Sequence, residues 1–315
     1  MNSGTSAEIP KLPDYYYSHK NASECVGCGN PDFKKHREIK HFGFEFVFHR
    51  CDNCGVIKQI PMPNEAFFDW FFNSDLFFSA KSSDSNEIWG FYDYFKDESS
   101  RLKTSRYRHK KLSKVLGWDK RNISLMKIGP STGTFLHAAQ QAGHEVRGCD
   151  VSDRFAGYAM DNYHVKIDIG RYENLGYQNE QFDAIMLLNV IENVPNLSAF
   201  IASIRRTLKI GGHFVLNHVE MKGNLIEKLQ GDKYFIYRPP ICYVFKGDNL
   251  NHVLSSRGFK LVTKKRDIRF MHLEKITTLL RWRWALKLAQ ALGIARMEFP
   301  IWAYPSWISV YERTE

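Results

Sequence analysis

The segment SLMKIGPSTGTFLHAAQQAGHEVRGCD, residues 124–150, decides the fold that this sequence predicts. Residues 123–128 form a short, mostly apolar run, which is typical of a buried strand. Residues 129–133 (GPSTG) predict a tight turn, and residues 135–142 have helical spacing that ends at a glycine. A second strand, 145–148, leads to Asp150. An acid at this distance from the turn can accept hydrogen bonds from ribose hydroxyls, so the segment predicts an α/β domain that binds a nucleoside.

The turn resembles the first motif of class I S-adenosylmethionine (SAM) methyltransferases, roughly (D/E)-x-G-x-G-x-G. Gly129 and Gly133 are spaced G-x-x-x-G, so the G-x-G-x-x-G fingerprint of dinucleotide-binding folds is absent. Two positions depart from the methyltransferase motif: Lys127 replaces its acid, and Ser131 replaces its middle glycine. The alternative is a structural βαβ turn in another doubly wound α/β domain.

Lys127 affects the expected strength of the cofactor site. SAM carries a sulfonium and an ammonium group, so a nearby cation is expected to repel it. The amine escapes this conflict if it reaches solvent or pairs with Glu145 or Asp150. We therefore expect Lys127→Glu to tighten SAM binding.

Two C-x-x-C-G motifs, at residues 25–29 and 51–55, predict a metal site. Each motif places two thiolates on one side of a turn, and four thiolates make a closed tetrahedral zinc site. Between them, residues 38–50 alternate apolar and polar side chains as a strand of a zinc ribbon does. Disulfides and a redox C-x-x-C are the alternatives. The predicted structural zinc ligands are Cys25, Cys28, Cys51 and Cys54.

Composition sets limits on the class of protein. The chain has 315 residues, 43% of them hydrophobic, which suits one large globular domain and a small one. Residues 1–20 lack the apolar core of a signal peptide, and no apolar run reaches the length of a membrane span, so we expect a cytoplasmic protein. The net charge of +10 permits an anionic partner such as nucleic acid, although the dispersed basic residues equally suit a solvated surface.

The order of the remaining motifs strengthens the resemblance. Before the SAM motif, this chain carries in order a ribbon, a P-x-P motif, an aromatic segment, a W-G-x-Y-x-Y motif and a basic helix. This order resembles that of zinc-ribbon methyltransferases of bacterial sugar and surface-polysaccharide pathways. By that resemblance, Tyr92 or Tyr94 is expected to close over the cofactor; alternatively, both tyrosines pack the lead-in helix. Further on, the strand at 182–188, the helix at 197–208 and the turn L-K-x-G-G at 208–212 agree with the family pattern.

The resemblance also implies functional residues. Asp168 and Ile169 stand where such enzymes contact adenine, and Asn189, which replaces a family aspartate, faces the methyl group. The implied cofactor-binding residues are Gly129, Pro130, Ser131, Gly133, Asp150, Asp168, Ile169, Asn189 and Tyr92. Cys242 occupies the position of a family histidine, so the catalytic base is unknown, with His218 and Asn189 as weak candidates.

The predicted organisation is a lead-in (1–22), a zinc ribbon (23–62), an aromatic and basic helical linker (63–115) and a Rossmann-like methyltransferase domain with a seven-stranded sheet (116–315). A helical insertion at 274–296 is expected to cap the substrate cleft or form a homodimer face; contact with a membrane surface is the alternative. The predicted activity is SAM-dependent methylation of a small molecule, such as a sugar or nucleotide-sugar. A nucleic-acid methyltransferase and a non-catalytic protein with the same fold are the alternatives.

Overall fold

A computed structural model describes residues 16–17, 24–41, 44–78, 94–219, 235–237, 240–279 and 282–314. The strands of this part of the chain are β1 (Phe33–His41), β2 (Phe44–Cys51), β3 (Ile57–Gln59), β4 (Ser124–Ile128), β5 (Glu145–Asp150), β6 (Ile167–Ile169), β7 (Phe182–Leu188), β8 (Leu208–Val219), β9 (Tyr243–Val244), β10 (Phe259–His272) and β11 (Glu298–Arg313). The helices are α1 (Glu65–Asn73), α2 (Asp75–Phe78), α3 (Glu98–Leu116), α4 (Thr134–Gln141), α5 (Asp153–Tyr163), α6 (Leu197–Thr207), α7 (Asn249–Ser255), α8 (Leu273–Leu279) and α9 (Arg283–Ala291).

Seven of the described strands form one mixed sheet in the order β10-β11-β8-β7-β4-β5-β6. β4 pairs in parallel with β5 on one side and with β7 on the other, while β10 and β11 are antiparallel. After β4, the next two strands lie on one side of it and the later strands of this sheet lie on the other, so the strand order reverses beside β4. Ligands of open α/β sheets bind at such a switch point, outside the carboxyl ends of the strands. The predicted α/β fold is confirmed.

The core explains why these segments form a parallel sheet. β7 is almost fully buried, as expected for a strand with helices on both faces. Leu125 of β4 and Ala184 of β7 pack in one cluster with Phe135 and Leu136 of α4. Gly133, at φ 83°, begins α4, so the tight turn directs the helix back onto the sheet.

Several boundaries differ from the sequence prediction because long-range pairing extends the strands. β5 extends beyond the predicted 145–148 to Asp150, because Cys149 and Asp150 pair with β6. The single insertion helix predicted within 274–296 is two helices, α8 and α9. The strand predicted at 38–50 is instead an antiparallel hairpin of β1 and β2.

The chain divides into two compact units. Unit 1 comprises residues 1–92, 191–202 and 219–257, and its described strands form a second sheet, β1-β2-β3-β9. Unit 2 comprises 93–190, 203–218 and 258–315 and contains the seven-stranded sheet. α3 belongs to unit 2, and β9, which pairs with β3, belongs to unit 1. The division into a zinc ribbon, a linker and a methyltransferase domain stays a prediction. No helix among the described residues combines the length and apolarity needed to cross a bilayer.

Candidate functional site

The glycine-rich turn follows β4 at the carboxyl edge of the large sheet. Gly129, Ser131 and Gly133 have φ angles of 63°, 55° and 83°, so the backbone is left-handed at alternate positions. A Cβ on Gly129 would lie 2.6 Å from a methyl of Val190, so the position has no room for a side chain. Ser131 adopts a left-handed backbone conformation that favours glycine, so the turn accommodates serine at this position.

Asp150 connects the end of β5 to this turn. Its Oδ2 accepts a hydrogen bond from the Ser131 amide (3.3 Å), and its Oδ1 accepts one from the Ser152 amide (3.0 Å). Burial raises the pKa of Asp150 to about 6, although both amides and Lys127 act against that rise. The predicted ribose acceptor is thus held by the backbone of the predicted cofactor turn.

Lys127 lies beneath the same turn and is only 4% exposed. Its Nζ donates a hydrogen bond to the carbonyl oxygen of Gly129 at 2.8 Å. Burial lowers the pKa of Lys127 to about 7, while the charge of Asp150 acts to raise it. The amine does not reach solvent, and it stabilises the turn, a role that the sequence did not indicate.

Asp168 and Ile169 end the neighbouring strand β6, and Ile169 pairs with Asp150 in the sheet register. The Ile169 side chain is 58% exposed, which leaves an apolar surface beside the acid. Oδ2 of Asp168 accepts hydrogen bonds from Arg147 Nε (2.7 Å) and the Tyr177 hydroxyl (2.9 Å). These bonds fix the Asp168 carboxylate against the sheet.

Asn189 follows β7 with a φ of 55°, so the backbone turns sharply at the strand end. Its Oδ1 accepts a hydrogen bond from Arg269 Nη2 at 3.2 Å. Arg269 also donates from Nε to Oδ2 of Asp267, at 3.2 Å. Asp267 is fully buried, and Arg108 binds both of its carboxylate oxygens. The Asn189 side chain is therefore held by a hydrogen-bond network that runs through Arg269 to the buried Asp267.

Tyr94 is the described member of the predicted tyrosine pair; Tyr92 lies outside the described residues. The hydroxyls of Tyr94 and Ser131 are 2.6 Å apart. The Tyr94 ring contacts Phe155 edge to face, and the guanidinium of Arg101 lies 4.0 Å from the ring centroid. Tyr94 thus contacts the glycine-rich turn directly, while it also packs against α5.

His218, the weak candidate for a base, is 3% exposed. Its Nε2 lies 3.0 Å from the Ser309 hydroxyl, and burial lowers its pKa to about 3. The imidazole is therefore neutral and enclosed, which favours a structural role. Cys242 is also fully buried, with its Sγ directed to the Pro240 carbonyl.

The four cysteines of the predicted metal site lie together in unit 1. Their sulfur atoms are all within 4.8 Å of one another, and no other such group of ligands was found among the described residues. The separations are 3.4 Å for Cys25–Cys54 and 3.6 Å for Cys28–Cys51. All six cysteines of the chain lie within the described residues and none of them forms a disulfide, so the disulfide alternative is not supported.

This arrangement fits a tetrahedral metal centre. With Zn–S bonds of about 2.3 Å, tetrahedral geometry requires sulfurs about 3.8 Å apart. Gly29 and Gly55, which follow the two motifs, have φ angles of 72° and 77°, so each chain turns back after its second cysteine. Four sulfur ligands leave no position for substrate, so the geometry is that of a structural site.

Arg269, Asp267 and Arg108 are not among the site residues predicted from the sequence. The signal was present in the segment KKRDIRF (264–270), where one acid stands among basic residues in a strand pattern. A buried acid in such a setting needs a cationic partner, but the sequence does not identify which cation provides it.

Comparison with known proteins gives the class of this chain. A family described as "Methyltransferase domain" matches residues 100–264, just over half of the chain. The chain belongs to this methyltransferase family.

Individual relatives cover smaller parts of the chain. A demethylmenaquinone methyltransferase of Tropheryma whipplei (strain Twist) is 27% identical over 101 residues, 29% of this chain and 40% of the relative. A ubiquinone biosynthesis O-methyltransferase of Paramagnetospirillum magneticum is 30% identical over 98 residues, 30% of this chain and 39% of the relative. The match thus spans about two fifths of these relatives. A solved SAM-dependent methyltransferase of Archaeoglobus fulgidus has 14% identity and a TM-score of 0.47, covering 70% of this chain and 100% of that one.

Proposed function

We propose that this chain is a SAM-dependent methyltransferase that acts on a small-molecule acceptor. The observation that carries the proposal is the bond between Asp150 and the Ser131 amide, which joins an acid to a left-handed turn at the switch point of the sheet. Membership of the methyltransferase family supports the reaction type.

Each proposed cofactor contact rests on a described residue. The residues of the turn, Gly129, Pro130, Ser131 and Gly133, bring backbone close to the methionine end. Asp150 accepts hydrogen bonds from the ribose hydroxyls, and Ile169 supplies the apolar surface that an adenine ring covers. Asp168, held by hydrogen bonds from Arg147 and Tyr177, fixes the carboxyl end of β6, where Ile169 lies.

When bound, SAM supplies an electrophilic methyl group. Its transfer to an acceptor nucleophile would depend mainly on alignment of the acceptor with that methyl group. Asn189, held by Arg269, presents a fixed polar group at the strand end where the acceptor and the methyl group meet. His218 is enclosed, so we do not assign it the role of base.

For the acceptor, we propose a small molecule. The resemblance to zinc-ribbon methyltransferases favours a sugar, a nucleotide-sugar or a related metabolite. The named relatives are quinone-pathway methyltransferases, which also act on small molecules by their names. The net charge of +10 favours a nucleic-acid substrate as a second candidate, and RNA binding that weakens steeply with salt would support it.

We further propose that Cys25, Cys28, Cys51 and Cys54 hold one structural Zn²⁺. Thiolates must remain reduced to bind metal, which agrees with the cytoplasm as the proposed compartment.

Calorimetric titration of SAM into the protein tests the cofactor assignment. Asp150→Ala removes a charge-assisted hydrogen bond and should weaken binding by about 1.5–3 kcal/mol, or roughly 10- to 150-fold. Asp150→Asn keeps one acceptor oxygen and should lose less. Glu145→Ala is the matched control, because Glu145 is an exposed acid at the other end of the same strand.

The outcomes separate the hypotheses. Unchanged affinity in Asp150→Ala contradicts the ribose assignment. A wild type that binds SAM but methylates no acceptor leaves the cofactor site correct and the acceptor class open. A wild type that releases no heat with SAM favours the non-catalytic alternative.

A further inference from the structure

Helix α9 exposes an unusual set of side chains for a surface helix. Trp284, Leu288 and Leu292 follow one another at four-residue intervals, so they form one stripe. Their exposed fractions are 70%, 52% and 61%. Large apolar residues exposed singly are common, but a continuous stripe of them marks an interaction surface.

Basic residues lie directly beside this stripe. Arg283 and Lys287 are exposed and also four residues apart, which places them on the adjoining line of the helix surface. Ala289, by contrast, is buried on the side that faces the protein. We call the exposed side of α9, defined by Arg283, Trp284, Lys287, Leu288 and Leu292, the Trp-basic face.

The segments that flank α9 have the same character. Trp282 precedes the helix and is half exposed, and the exposed Arg296 and Met297 follow it. Glu298 is the one acid between residues 282 and 302. Its carboxylate accepts a hydrogen bond from Ser100 and pairs with Lys103 at 3.2 Å, so its charge is balanced within the protein. The segment 282–302 therefore carries net positive charge, from Arg283, Lys287 and Arg296.

We propose that the Trp-basic face binds the surface of an anionic membrane. Tryptophan prefers the boundary between headgroups and acyl chains, and lysine and arginine bind anionic headgroups while their stems cover apolar surface. A helix with an apolar stripe beside a basic one lies in the plane of that boundary. A protein partner would also bury the tryptophans, but the one-sided positive charge specifically complements an anionic lipid surface.

Sedimentation of the 315-residue chain with vesicles tests this proposal independently of methyl transfer. The protein should bind vesicles of phosphatidylcholine containing about 30% phosphatidylglycerol, bind pure phosphatidylcholine much less, and dissociate as salt rises. Lys287→Gln/Leu288→Ser should lower the partition coefficient roughly 30-fold, because it removes one basic contact and one apolar side chain.

The chain offers a matched control. Lys260 and Leu261 form the same exposed pair at the far end of β10, and Leu261 is 37% exposed. Lys260→Gln/Leu261→Ser should therefore bind vesicles like the wild type. Arg283→Gln/Lys287→Gln, which leaves the apolar stripe intact, should also bind about 30-fold more weakly.

Three results would overturn the proposal. The first is a wild type that does not sediment with either vesicle. The second is equal loss of binding in the α9 and β10 double variants. The third is a wild type that does not bind vesicles and is a dimer by light scattering, with an α9 variant that is a monomer. That result would make the Trp-basic face a contact between two copies of the chain.

Discussion

Lys127 allows a quantitative test of the structure. Its amine is buried under the glycine-rich turn and donates to the Gly129 carbonyl. Burial lowers its pKa in the folded chain to about 7, whereas the ordinary value is 10.5. Lys127→Met keeps a side chain of similar length and removes the titrating group.

The expected effect depends on pH. Between pH 7 and 10.5 the folded chain has released the Lys127 proton while the unfolded chain still holds it. The unfolded state therefore binds more protons, and this lysine makes the free energy of unfolding rise with pH by about 1.4 kcal/mol per unit. Methionine lacks this dependence. From pH 8 to pH 10, the stability of the variant relative to the wild type should thus fall by about 2.5 kcal/mol.

Urea unfolding at pH 8, 9 and 10 measures this difference. The range begins above the pKa of about 6 for Asp150, so that the neighbouring carboxyl stays ionised. Other ionisable groups contribute equally to both proteins. Lys166→Met, at an exposed lysine, is the control and should show a constant difference. A difference for Lys127→Met that varies by less than about 0.5 kcal/mol would refute the burial argument.

The same residue bears on the cofactor. From the sequence, Lys127→Glu was expected to tighten SAM binding by removing a repulsive charge. In the structure, a carboxylate there would face the Gly129 carbonyl and lie near Asp150, so we now expect weaker binding. Calorimetry on Lys127→Glu and Lys127→Met distinguishes these expectations: tighter binding by Lys127→Glu would show that cofactor repulsion outweighs the loss of the turn contact.

Two further predictions follow from the structure. Purified protein should contain about one zinc per chain by elemental analysis. Cys25→Ser should lower both zinc content and thermal stability, because four thiolates complete the site. A wild type that contains no metal after dialysis would contradict the assignment. Burial lowers the pKa of His109 to about 4, against an ordinary 6.5, so the unfolded chain binds the extra proton between these values and stability falls as pH drops from 6.5 to 4. His109→Leu should remove about 3 kcal/mol of this loss of unfolding free energy, as measured by urea unfolding. His252→Leu, at an exposed histidine, should leave the loss unchanged. Equal dependence of stability on pH in the wild type and His109→Leu would contradict the prediction.

Local chemistry made much of this protein predictable from its sequence. The turn at 129–133 needs residues that tolerate left-handed backbone, and two glycines and a serine supply them. The run 182–188 is apolar except for Asp183, so it forms a strand that is buried along most of its length. Each C-x-x-C-G motif predicts two sulfurs on one side of a turn. Each of these features depends on residues close together in the chain.

The tertiary structure decided what depends on residues far apart. Arg108 and Asp267 are separated by 159 positions, and neither identifies the other in the sequence. The role of Lys127 changed from a charge facing the cofactor to a donor beneath the turn, because its burial and its carbonyl partner depend on the packing of the sheet. The insertion at 274–296 likewise became two helices, and only the exposed fractions of Trp284, Leu288 and Leu292 show that its apolar residues face outward. Hydrophobic pattern identifies which side chains avoid water, but the surrounding elements determine which of them are covered.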